Sequence, residues 1–208
     1  MSLVPVAESR VRGAALLREE VTAAIASAAF AELAQAGYAR MSMDALAKRA
    51  GVGKAAIYRR WPSKQQMVIA LVSRHATRAA EVVSTGSFHD DVLAFLSATK
   101  LALEHPWVAP IVLDLAGEAA RNPELALALR TTIAEPRRAR VAELLRVAIH
   151  RGELEADVDV DLALDFLAGP LAVRILLTRM PTRADYLEQL TNWTIAALQH
   201  GGTLGPSA

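Results

Sequence analysis

The sequence predicts an all-α protein of about nine helices, and three observations carry that prediction. Alanine and leucine dominate while aromatic residues make up only 5% of the chain, a balance that favours helices over sheets. No stretch alternates apolar and polar residues for long enough to form a strand. Apolar residues instead recur at helical spacing, in segments punctuated by glycine and proline. Just over half of the 208 residues are hydrophobic, ample for a buried core in one domain or two small ones.

Taken in order, residues 1–16 read as a flexible arm, and a first helix covers about 17–36, closing at Gly37. Ser42 is placed to cap a second helix, its hydroxyl accepting from a free backbone N–H. Met43, Leu46, Ala47 and Ala50 fall on one face of that helix, and Gly51 follows where a left-handed ending costs glycine nothing sterically. Val52 suits a plug between two crossing helices. Residues 53–60 make a third helix too short to be stable alone, with Ile57 and Trp61 spaced to face inward. Pro62 stops it, and Ser63 caps a fourth helix to about residue 83. Ser84-Thr85-Gly86-Ser87 reads as a connection.

Helical patterns resume over 89–104, 107–121 and 124–150, with His105-Pro106 and Asn122-Pro123 between them. Pro136 lies inside the last of these, so a kink or break is expected there; Gly152 ends it. The final helices are expected at 159–180 and 182–200, separated by Pro181, with Gly169-Pro170 allowing a bend. The domains expected are 17–80, with a two-helix motif at 42–61, and 81–201, followed by a tail at 202–208.

Residues 43–64 carry the most specific chemistry. Two short helices joined by a glycine turn, the second basic and tyrosine-bearing, have the layout of a helix-turn-helix whose second helix enters the major groove of DNA. Lys54, Ala55, Ala56, Tyr58 and Arg59 are left outward. Small alanines allow close approach to base edges and their methyls can touch thymine methyls, while Lys54 could donate to a guanine or to a phosphate. Tyr58, Arg59 and Arg60 suit phosphate oxygens, which fix register rather than sequence. Lys64 and Ser42 mark helix starts, whose unpaired N–H groups are ready phosphate sites.

These residues, with Ile25, Ala28-Ala29-Phe30, Gly37-Tyr38, Leu46-Ala47, Ala50-Gly51-Val52-Gly53, Ile57-Tyr58, Trp61 and Ser63-Lys64, resemble the N-terminal domain of the tetracycline-repressor (TetR) family. The resemblance covers roughly residues 17–75. It implies an all-helical, dimeric, ligand-responsive repressor, with a three-helix DNA-binding domain and a C-terminal helical domain for ligand binding and dimerisation. By position it carries DNA contacts onto Ser42 and Met43, onto Lys54, Ala55, Ala56, Tyr58, Arg59 and Arg60, and onto Lys64. The chain departs from the pattern at Gly53, where a capping Ser or Thr is usual, at Trp61 in place of Phe, and at Arg59-Arg60. Asp44 is acidic close to the expected groove, where it would accept from cytosine N4 or cap its helix.

Charge distribution points the same way. Residues 1–80 hold 12 Lys/Arg against 5 Asp/Glu, and residues 81–208 hold 11 against 17, so the net +1 conceals a basic N-terminal third. Such a third fits a polyanion, and the acidic remainder would repel one. A double-stranded DNA operator is therefore the expected partner. Helix-turn-helix proteins read two half-sites as two-fold dimers. The helices at 159–180 and 182–200 are apolar on more than one face, as a core and a homodimer interface together require.

A regulatory reading also requires a small-molecule effector, with Trp107, Leu113, Asp114, Leu115, Glu118, Phe166, Leu167 and Arg174 as the candidate lining. No cofactor is expected. There are no cysteines, and His75, His89, His105, His150 and His200 are scattered without metal-ligand spacing. Asp157, Asp159 and Asp161 alternate, but they lack the glycine and twelfth-position glutamate of a calcium loop and read better as a helix start. No nucleophile elbow or phosphate-cradling loop is present, so no catalytic residue is expected. No uncharged apolar run reaches membrane-spanning length, and residues 1–18 lack a signal core, which leaves the cytoplasm as the expected location. The competing readings are a helical small-molecule carrier and a DNA-binding architectural protein without ligand control.

Overall fold

The computed structural model describes residues 6–78 and 85–200. The expected tail lies outside these residues, as do residues 1–5 of the expected arm and the junction at 79–84, where the expected domain boundary falls. All regular structure among the described residues is helical. It comprises α1 (Val6–Arg40), α2 (Met43–Ala50), α3 (Lys54–Tyr58), α4 (Lys64–Arg78), α5 (Phe88–Leu103), α6 (Val108–Ala119), α7 (Pro123–Leu129), α8 (Glu135–His150), α9 (Val160–Leu171) and α10 (Tyr186–His200). A π turn at Arg130–Ala134 joins α7 to α8, and another at Ala172–Leu177 prolongs α9, so the described residues form nine continuous helical rods.

Local chemistry accounts for the ends. α1 starts at Val6, within the stretch expected as an arm, and its regular path breaks at Gly37 (φ 76°, ψ 167°). Ser42 caps α2 by accepting from the N–H groups of Asp44 and Ala45, and Gly51 closes it in the left-handed conformation. Ser87, Asn122 and Asp159 cap α5, α7 and α9 in the same way. The last expected boundaries shift. Arg179 turns at positive φ before Pro181, so the eighth rod stops at Leu177 and α10 begins only at Tyr186.

Pro136 produces a π turn rather than a break. A proline has no N–H for the carbonyl four residues back, which here is Thr132, inside the π turn. That carbonyl instead accepts from Ser73 Oγ of α4 at 3.0 Å. Pro170 likewise sits just before the second π turn.

Burial divides the molecule into two cores. The first gathers Ile25, Leu33, Leu46, Ile57, Met67 and Val68 from α1 to α4, and also takes in Ile111 and Leu115 of α6 and Leu125 of α7. The second joins Phe88, Leu96, Leu145, Leu167 and Leu171 from α5, α8 and α9, with Leu198 of α10. The N-terminal core is thus completed by residues from the C-terminal half, and α6 contributes to both cores.

Candidate nucleic-acid interface and ligand cavity

Within the two-helix motif, Ile57 is fully buried, Leu46, Ala47 and Met43 are buried beside it, and Trp61 packs against the same core. Holding those five side chains inward fixes the angle between α2 and α3 and turns Lys54, Ala55 and Tyr58 outward, with Tyr58 41% exposed. Gly53 precedes α3 with no side-chain cap, and its carbonyl accepts from the Ala56 N–H at 2.8 Å. Ser42 is exposed at the head of α2, while the Met43 side chain belongs to the core. A base contact at position 43 is thereby limited to the backbone.

The basic side chains of this surface are not equivalent. Lys54 pairs with Asp44 at 2.9 Å, and that carboxylate raises the pKa of the lysine, through its hydrogen bond first and its charge second. Asp44 thus meets a lysine, and the capping of α2 is left to Ser42. Arg60 folds back onto α1, donating to Thr22 Oγ1 at 3.1 Å and to the carbonyl of Ala56 at 2.8 Å. Lys64 also turns inward. Its ammonium donates to the carbonyls of Tyr38 (2.8 Å) and Ala39 (3.3 Å) and sits 4.6 Å over the Tyr38 ring, where the end of α1 presents unpaired acceptors. Arg49 is held by Glu32 and Gln35. Among the described residues, Arg59 and Lys48 are exposed and pair with no other side chain.

A corner connects this surface to the C-terminal half. Past Gly37, the N–H of Tyr38 has lost its helical acceptor, and Asp114 Oδ2 of α6 takes it at 2.5 Å. Tyr38 is buried, and its hydroxyl pKa is raised by that burial and then by the nearby charge of Glu118. Further along α6, Ile111 and Leu115 face a cavity of about 440 Å³, whose wall also takes Phe30 from α1, Val72 from α4, Leu103 from α5 and Leu176 from the second π turn. Trp107 stacks on Phe30 across it, with ring centres 5.2 Å apart. Both π turns border this cavity, as such turns often border functional sites. Its size is that of a small-molecule site, and its lining is predominantly apolar, as such sites usually are.

Two family models match the chain: the bacterial regulatory proteins of the tetR family over residues 25–71, and the tetracyclin repressor-like C-terminal domain over residues 82–193. The uncharacterized HTH-type transcriptional regulator YdeS of Bacillus subtilis (strain 168) is 32% identical over 168 residues, which is 80% of this chain and 84% of that one. The chain belongs to the TetR family. A DNA-binding transcriptional repressor TetR of Mycobacteroides abscessus is 32% identical over 162 residues, covering 76% of this chain and 84% of its own. The crystal structure of the TetR family transcription regulator SCO0332 superposes with a TM-score of 0.68 at 29% identity, covering 85% of this chain and 97% of that one. This TetR-family chain is a DNA-binding transcriptional regulator and not an enzyme.

The cavity takes in part of the expected ligand lining of the regulator. Of the candidates, Trp107 and Leu115 line the cavity. Asp114 and Glu118 lie on the side of α6 that meets Tyr38, outside the cavity lining. Leu113 packs against the second core, and Leu167 is fully buried within it. Phe166 is 46% exposed on the outer face of α9. Arg174 donates to the carbonyl of Pro181 and lies 4.5 Å from the Tyr186 ring. Sequence reasoning missed the π turns, Ile133 and Ala134 within one of them, and Arg137 just beyond it. Pro136 was the available signal. It marked an irregularity in a long helix but not that the irregularity would face a cavity.

Proposed function

We propose that this TetR-family regulator is a repressor that binds a palindromic operator as a homodimer and is released by a small molecule in the 440 Å³ cavity. The cavity wall carries this reading. Phe30 and Val72 come from the helices that position the DNA-reading motif, and Leu103, Leu115 and Leu176 come from the C-terminal half. A ligand between them touches both units, and it shifts DNA affinity to the extent that it binds one arrangement of the two better than the other.

In this reading Lys54, Ala55 and Ala56 face base edges, with Lys54 exchanging Asp44 for a guanine or phosphate oxygen. Ser42, Tyr58 and Arg59 meet phosphates. Lys64 contributes the N–H end of α4, because its ammonium is committed to α1. Arg60 braces α3 against α1 and reaches a phosphate only by leaving Thr22. Dimerisation uses the outer face of α9 with its π turn, and α10. Leu162, Phe166, Val173 and Leu177 are each at least 46% exposed there, and Trp193 is 75% exposed. Large apolar side chains gathered in this way are what a partner chain covers.

Fluorescence anisotropy of the full-length protein on DNA from its own promoter region tests the reading. Two chains per operator are expected, with affinity falling steeply as salt rises and collapsing when either half-site is scrambled. One chain per operator, or indifference to scrambling, overturns it.

A further inference from the structure

Arg137 stands apart among the arginines of its helix. It lies in the first turns of α8, in the wall shared by the 440 Å³ cavity and a second cavity of about 550 Å³. Its neighbours on the same rod are matched with acids: Arg130 reaches Glu135 at 3.7 Å, and Arg138 reaches Asp161 at 3.2 Å and Asp165 at 3.8 Å. No carboxylate or carbonyl among the described residues pairs with Arg137. Burial lowers the pKa of its guanidinium, and no acid offsets that effect. Arginine nevertheless remains cationic in proteins. A half-buried cation facing an apolar cavity is costly unless something in that cavity compensates it.

The rest of the wall describes what else the occupant must be. Leu103, Ile111, Leu115, Ile133 and Leu176 offer only hydrocarbon, Trp107 offers an aromatic face, Thr99 adds a buried hydroxyl, and Arg130, the other cation of the wall, is already paired with Glu135. At the roughly 30 Å³ that one water-sized unit occupies in a liquid, 440 Å³ holds about fifteen heavy atoms.

We propose that the effector is an anionic amphiphile of about that size, an unbranched or aromatic apolar body ending in an oxyanion, and that Arg137 is the residue that holds the oxyanion. The planar guanidinium suits a carboxylate or a phosphate oxygen pair equally, so oxyanion chemistry is what the site selects. The inference rests on the cavity being the effector site. It goes beyond that reading by naming the ligand class and the anchoring residue.

Dodecanoate, dodecanol and dodecyl phosphate, added at micromolar concentration to the full-length protein, form the test. Binding is read by calorimetry, and release of labelled operator DNA is read alongside it. Dodecanoate or dodecyl phosphate is expected to bind at least tenfold more tightly than dodecanol, and the tighter of the two shows which headgroup the site takes. Arg137→Met, which keeps the length and removes the charge, is expected to abolish that preference while leaving dodecanol binding and the melting temperature intact or higher. Arg137→Lys restores part of the preference. Equal binding of alcohol and anions to the wild type overturns the proposal, as does an anion preference that survives in Arg137→Met, or no binding of any of the three.

Failure of the underlying reading looks different. If Ala168→Trp, which fills the cavity, leaves anion binding unchanged, or if bound anion leaves operator affinity unchanged, the cavity is not the effector site, whatever the anion preference shows.

Discussion

Gly37→Ala tests the corner between the DNA-binding helices and α6. Gly37 sits at φ 76° and ψ 167°, a region essentially restricted to glycine, so any side chain there costs about 1–3 kcal/mol of backbone strain. A second cost comes from outside the helix. A Cβ at this position would lie 2.7 Å from Asp114 Oδ1 and 3.1 Å from its Cγ. The carboxylate cannot swing aside without releasing the Tyr38 N–H that Oδ2 holds. A hydrogen bond to a charged group is worth about 1.5–3 kcal/mol. The two costs together predict about 2.5–6 kcal/mol of destabilisation in urea unfolding, a large share of the stability of a domain this size. In an Asp114→Ala background the same substitution should cost only the strain, leaving a coupling of about 1.5–3 kcal/mol in a double-mutant cycle. A coupling below about 0.5 kcal/mol would refute the claim that Asp114 pins the end of α1. Unchanged operator affinity in Asp114→Ala would show that the corner stabilises the fold without setting the position of α2.

Ser73→Ala removes the hydroxyl that Thr132 uses in place of the missing proline N–H, and should lower stability by about 1 kcal/mol, measured by urea unfolding. Asp44→Ala frees Lys54 at the exposed groove surface; stability should stay unchanged, while DNA affinity rises and the salt slope steepens by about one. Trp193→Ala should leave monomer stability within about 0.5 kcal/mol but weaken dimerisation by about 2 kcal/mol or more in sedimentation equilibrium. Tyr38 has a raised pKa in the fold, so its neutral form carries stability that is intact below pH 10 and lost as pH climbs through the folded value. Thermal melts from pH 9 to 12 should therefore fall more steeply for the wild type than for Tyr38→Phe.

The parts of this protein that were legible in its sequence are those where local chemistry decides the outcome. Ser42 and Gly51 delimit α2 because capping and positive φ are properties of single residues. Ile57 and Leu46 are buried because helical spacing alone puts them on the inner face. Lys54, Tyr58 and Arg59 could be placed outward by the same reasoning. The side chains assigned to DNA that turned inward, those of Lys64, Arg60 and Met43, depend on where α1 lies. A sequence shows that Lys64 is basic but not that the carbonyls of Tyr38 and Ala39 end beside it. The ligand wall was harder still, because it draws on α1, α4, α5, α6, both π turns and the start of α8. Asp114 and Leu115 are adjacent in sequence, yet one closes the α1 corner and the other faces the cavity. Polarity at one position says nothing about which of those neighbours an α6 residue will meet.

That division within α6 bears on how the proposed effector would act. Two polar contacts among the described residues tie the DNA-binding helices to the C-terminal half, Asp114 to the backbone of Tyr38 and Ser73 to the carbonyl of Thr132. The first sits on the helix that carries Ile111 and Leu115 into the cavity, and the second on the π turn that carries Ile133. Any ligand that spreads α6 from that turn must therefore move the end of α1 relative to α4, or break one of the ties. Since α2 and α3 pack on α1 and α4 through Leu46 and Ile57, either outcome shifts the recognition helix. Breaking both ties, in an Asp114→Ala, Ser73→Ala double variant, should then leave effector binding in place while reducing its effect on operator affinity. A double variant that still releases DNA on effector binding as fully as the wild type would mean that the signal passes through the shared apolar core instead.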